Sequence, residues 1–127
     1  MRTATYYLAL VGAAVGYIWG AIDGLFIALI IFITVDYITG VLCAISEHHL
    51  SSEQGFRGII KKVAILILVA VANIIDCEIL KAGFPCRTSV IFFYLSNEGI
   101  SILENITRLG VPVPEKLRQI LDQLNED

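Results

Sequence analysis

The amino-acid sequence predicts an all-α membrane protein: a small polytopic helical bundle of four membrane segments followed by a short cytoplasmic amphipathic helix. Three observations carry that prediction. The 127 residues are 57% hydrophobic and only 17% charged, with a mean hydropathy of +0.78, whereas a soluble domain carries about 25% charge. The apolar residues fall in long runs almost free of charge, each near the length that crosses a hydrocarbon core. Lysine and arginine collect in alternate connections, as the positive-inside bias requires. A single domain over residues 1–127 is expected, with spans near 3–22, 24–45, 63–80 and 88–109 and a tail at 112–127.

The first segment, Thr3 to Ile22, is charge-free for 20 residues, about 30 Å as a helix. Arg2 before an apolar run imitates a signal peptide, but the run is longer than an h-region and has no A-x-A end. It is read as a retained span. Gly12, Gly16 and Gly20 recur every fourth residue and fall on one side of a helix, where another backbone can approach closely. That face suits a neighbouring helix of the same subunit or a seam between subunits.

Ala21 to Gly24, with Asp23 in its middle, is a turn, and Gly24 to Ile45 is the second segment, broken by Asp36. Its 13 Leu, Ile, Phe and Val residues each favour insertion by about 0.3 to 0.6 kcal/mol, and a central Asp opposes it by about 2.5 to 3.5. Insertion wins, and Asp36 must face a partner or water. Either a paired interhelical carboxyl or a pore and ion-path role satisfies that demand.

Glu47 to Lys62 is the main polar connection. Ser51 followed by Gln54 fits a capping box, so a helix restarts near Ser52. Adjacent His48 and His49 diverge on a helix and have no further ligands at suitable spacing, so no metal site and no cofactor are expected. The third segment, Val63 to about Leu80, has Lys61 and Lys62 at one end to snorkel, and Asp76 and Glu78 near the other. The Gly and Pro of Lys81–Arg87 mark a turn. Cys77 and Cys86 bracket it and could close a disulfide or stay free as small apolar side chains.

The fourth segment, Thr88 to about Leu109, carries Asn97, Glu98, Ser101, Glu104 and Asn105, with Tyr94 and Arg108, on one arc of an otherwise apolar helix. Such a stripe suits a bundle interior, as permanent interhelical glue, or a water-filled wall. Gly110, Pro112 and Pro114 stop it. Leu117, Ile120, Leu121 and Leu124 then give the tail one apolar face. With four crossings and an inner N-terminus, seven basic residues face the cytoplasm and only Lys81 and Arg87 face outward. Both termini are then cytoplasmic. Three crossings would invert that balance, although a re-entrant or interfacial fourth segment is compatible with the count.

No phosphate loop, dinucleotide fingerprint, zincin motif or nucleophile elbow is present, so an enzyme is not expected. Scattered basic residues give no nucleic-acid footprint. Three stretches do resemble a family: DYITG at Asp36–Gly40, HLSSEQGFRGIIKK at His49–Lys62, and NEGISILENITRLGVPVPEKL at Asn97–Leu117. In order and spacing, from about Asp36 to Leu121, they look like the phage lysis and toxin-secretion holins. The resemblance implies a protein of the bacterial cytoplasmic membrane that oligomerises into a lesion or pore. Its functional partner would be an endolysin that must reach the cell wall or a large secreted toxin. Two other classes fit the composition: a small proton-coupled transporter using Asp36, and a membrane scaffold that recruits a partner through its tail.

Overall fold

Each helix of the computed structural model, which describes residues 1–126, begins or ends where local chemistry demands it. Asp127, the last residue of the expected tail, lies outside the described residues. The elements are α1 (Arg2–Trp19), α2 (Gly24–Ser46), α3 (Ser52–Ile74, prolonged by a π-helical turn Ile75–Leu80), α4 (Pro85–Arg108) and α5 (Glu115–Glu126). Among the described residues there is no strand. Two of the helices, Gly24–Ser46 and Ser52–Leu80, are long and apolar enough to cross a membrane.

The Asp23 carboxylate accepts the Phe26 N–H at 2.9 Å and starts α2. Ser51 accepts the Gln54 N–H at 3.4 Å and starts α3, the cap its spacing predicts. Pro85 opens α4, where its missing N–H costs nothing. The helix therefore starts inside the stretch expected to be a turn, and Cys86 and Arg87 are already helical. Lys81, left-handed at φ 53°, closes the π turn by donating its N–H to Asp76 O at 2.8 Å.

The first helix stops at Trp19, short of the expected Ile22, because Gly20 turns the chain at φ 84°. A Cβ there would lie 2.8 Å from both Arg87 Nε and Asn73 Oδ1. Gly20 therefore belongs to a turn that only glycine fits, and not to the helix face shared by Gly12 and Gly16. At those two positions an added Cβ would meet no atom of the described residues within 4 Å.

The buried apolar core is small: Phe26, Leu29 and Ile33 of α2, Val69 of α3, and Ile91 and Leu95 of α4. Most of the remaining large apolar side chains face outward, as in a bundle whose solvent is lipid. The first fourteen residues are all exposed. The tail helix α5 folds back along α4 and does not hang free. Ser96 Oγ donates to Leu121 O at 2.6 Å, and the Leu121 side chain covers Gly99.

Candidate functional site

Polar residues inside a mostly apolar bundle must find one another, and here they gather into two clusters. The first lies between α2, α3 and α4. Asp36, near the middle of α2, faces the stripe of α4, and both Asp36 and Glu98 are buried. Between their carboxylates sits the Lys62 ammonium, paired with Asp36 and 2.7 Å from Glu98 Oε2. Asn105 Nδ2 donates to Asp36 Oδ1 at 3.1 Å and to Thr39 Oγ1 at 2.9 Å. One turn on, the Cys43 thiol donates to Asn105 O at 3.1 Å, and Arg108 pairs with Glu47 at the helix ends. Residues 36, 39, 43 and 47 follow helical spacing on one face of α2, so the α2–α4 contact from Asp36 to Glu47 is a polar seam continuing the apolar core.

The predicted stripe is split by this arrangement. Glu98 and Asn105 are buried and Ser101 is half-buried beside them, whereas Asn97 and Glu104 are exposed. The inward edge packs on Asp36, and the outward edge does not. Two pockets flank the cluster. One, of about 280 Å³, is lined by Asp36, Lys62 and Ser101 together with Tyr37, Gln54 and Gly55. The other, of about 600 Å³, runs between α3 and α4 and shares Asp36, Lys62 and Ser101, with Asn97 and Glu98 also in its wall. A charged partition with a cavity on each side can pair its charges internally or be hydrated from either pocket.

Lys62 was missing from the sequence-derived site, where it served only as an interfacial cation. A signal existed: two carboxylates, Asp36 and Glu98, lay within apolar helices with no cation assigned to either, and Lys62 begins the one apolar run that could supply it.

The second cluster closes the opposite end. Arg87, expected in an outer loop, is 4% exposed. Its Nε donates to Trp19 O at 2.7 Å, Nη2 to Ala21 O at 2.8 Å, and Nη1 to Asp23 Oδ2 at 3.1 Å. The Asn73 amide donates to Tyr17 O and Ile18 O, both at 3.0 Å. The carbonyls left over at the end of α1 thus find side-chain donors from α3 and α4. Asp76, drawn inward by the π turn, accepts the N–H groups of Cys86 and Arg87 at 3.0 and 2.8 Å. A carboxylate at a helix N-terminus is well placed against the helix dipole. The Arg87 guanidinium, helped by the Phe26 N–H, holds the Asp23 carboxyl below the usual carboxylate range.

The candidate Cys77–Cys86 disulfide is not formed; both cysteines are free. Cys77 is exposed on the π turn, while Cys86 is fixed by its backbone bond to Asp76. Among the described residues no group of His, Cys, Asp and Glu side chains is arranged to hold a metal ion.

Comparison with known proteins agrees with the character of this bundle. The sequence model of the bacteriophage holin family matches residues 13–126. An uncharacterised protein of Listeria innocua is 52% identical over 110 residues, covering 87% of this chain and 78% of that protein. An uncharacterised 14.9 kDa protein of Clostridium perfringens is 46% identical over 114 residues, covering 90% and 86%. A probable holin of Bacillus phage phi105 is 32% identical over 111 residues, covering 87% and 81%. No solved structure matches.

Proposed function

This chain belongs to the bacteriophage holin family, and from that premise we propose that it oligomerises in the bacterial cytoplasmic membrane and opens a lesion or pore. The whole chain acts as one membrane domain. Four segments cross or enter the bilayer with both termini cytoplasmic, in keeping with the seven-to-two distribution of basic residues. The functional partner is an endolysin that gains access to the cell wall, or a large toxin that is released; no nucleic acid takes part.

The observation that carries the reading, besides family membership, is the cluster of Asp36, Lys62 and Glu98 inside helices otherwise suited to lipid. In the resting subunit the Lys62 ammonium is shared by the two carboxylates across the α2–α3–α4 contact. On assembly the stripe of Asn97, Glu98, Ser101, Glu104 and Asn105 is wetted and lines a lumen, its exposed edge first. The room at Gly12 and Gly16 supports a seam between subunits, since no atom of the described residues lies within 4 Å of a Cβ built at either glycine.

Inducible expression in bacteria, with and without a co-expressed endolysin, tests this. Abrupt depolarisation, with lysis only when the endolysin is present, is the expected result; growth at normal membrane potential would sink the reading. A second reading, a proton-coupled transporter, is favoured by the position of Asp36 between two pockets. Under it, Asp36→Asn abolishes substrate-dependent resistance, and overexpression leaves the host alive.

A further inference from the structure

The tail helix and the fourth segment make incompatible demands on the bilayer. In α4, a helix of 24 residues and hence about 36 Å long, Ser96 lies at the midpoint. Were α4 centred across a hydrocarbon core of about 30 Å, Ser96 would sit near the midplane. Yet Ser96 is where α5 is bound: its hydroxyl donates to Leu121 O at 2.6 Å. Next to it the Leu121 side chain occupies the place a Gly99 side chain would fill, with a built Cβ falling 2.8 and 2.9 Å from the two Leu121 methyls and 3.1 Å from Phe32. Glycine at 99 thus creates the seat that receives α5.

Docked in that seat, α5 carries Gln119, Asp122 and Gln123, all exposed, to the depth of Ser96. Aspartate is among the most costly residues to place against acyl chains at mid-bilayer. A docked α5 and a centred α4 therefore exclude each other. The connection between them is suited to a change of state: residues 109–114 are non-helical, with Gly110 at φ 92° and prolines at 112 and 114.

We propose that α5 is an intramolecular lid. Seated over Gly99, it keeps α4, together with the α2 helix paired along it from Asp23–Arg87 to Glu47–Arg108, from settling at full depth; its release lets the pair sink across the bilayer and enter the assembly. The proposal rests on the pore-forming reading above and adds to it the contact that sets the time of opening.

Leu121→Glu breaks the seat, whereas Gln123→Glu adds the same charge on the exposed side of α5 and serves as its control. The first readout is the time from induction to depolarisation at matched accumulation. The second is the rate of trypsin cleavage at Lys116 and Arg118 of α5 in inverted membrane vesicles. Leu121→Glu is expected to depolarise earlier and to be cleaved roughly tenfold faster, as the loss of a half-buried leucine contact shifts the docked population. The Gln123→Glu control should match the parent in both.

Equal cleavage in all three chains would overturn the lid, as would a Leu121→Glu protein that opens no earlier than its control. If the parent never depolarises the cell, pore formation fails, and the cleavage comparison still decides whether α5 is a lid.

Discussion

The two polar clusters contain the same kinds of residue, one cation and two carboxylates each, and are built on opposite principles. Where the α1–α2 turn meets the start of α4, Arg87 and Asp76 are tied mainly to backbone groups: the carbonyls of Trp19 and Ala21, and the N–H groups of Cys86 and Arg87. In the α2–α3–α4 seam Asp36, Lys62 and Glu98 are tied mainly to one another. Backbone partners are fixed by the helices and cannot be withdrawn without unwinding them. Side-chain partners can be exchanged for water or for a neighbour's groups, and here two pockets adjoin them. One cluster is therefore part of the frame, and the other can change partners while the helices stay intact.

The comparison predicts a ranked set of effects. Arg87→Met should be the most damaging change, about 3 to 5 kcal/mol, because it leaves buried carbonyls and Asp23 without their donor. Thermal unfolding in detergent would measure it, and a melting point equal to that of the parent would remove the distinction. Arg87→Lys should recover only part of the loss, since an ammonium cannot replace three donors directed at separate acceptors.

Lys62→Met should cost less, about 1 to 3 kcal/mol, because Asp36 and Glu98 can draw water from the flanking pockets. Neutralising both with Asp36→Asn and Glu98→Gln in the same chain should restore most of that stability, as uncharged replacements of buried ion pairs often do. The triple variant should nevertheless open at an altered time. If it were as unstable as Lys62→Met alone, the charges would not act as a unit.

The glycines give the next contrast. Gly20→Ala should destabilise by about 1 to 3 kcal/mol through strain at positive φ. Gly12→Ala and Gly16→Ala should leave the subunit within about 0.5 kcal/mol of the parent, and a change confined to cross-linking between subunits would mark their face as a seam.

Smallest is the effect of pH on the Arg87 cluster. The folded-state Asp23 carboxyl titrates below its unfolded value, normally about 3.9. Its contribution is thus complete at neutral pH and is lost only as pH falls through the lower, folded value. Trp19 fluorescence should stay constant from pH 7 to about 5 and change only near or below the ordinary carboxylate range.

How far the sequence could be read depended on whether a partner was local. The Ser51 cap, three residues from Gln54, was legible, as were the apolar runs of α2 and α3. The ion pairs were not, because periodicity tells which way a residue points and says nothing of what waits there. Lys62 meets Asp36 and Glu98 across 26 and 36 residues, and taken locally it looks like any lysine at the edge of a span. The four-residue glycine series misled at Gly20 for a related reason: the spacing assumes that the helix continues, and the positive φ that ends it leaves no periodic trace. The stripe of α4 was found as a single arc, and only packing could divide it into an edge against Asp36 and an edge left open.

The attachment of α1 has a mechanical consequence. Its last carbonyls are clamped by Asn73 and Arg87, while residues 1–14 touch little else. An 18-residue helix is about 27 Å long. Held at one end, it is a cantilever whose support is the clamp at Trp19 and whose free length projects from the bundle. The family match begins at residue 13, close to where the arm meets its support. Capture of a neighbour should accordingly depend on the arm's reach: shortening its free end ought to reduce cross-linking between subunits while the melting point of the isolated subunit stays where it was.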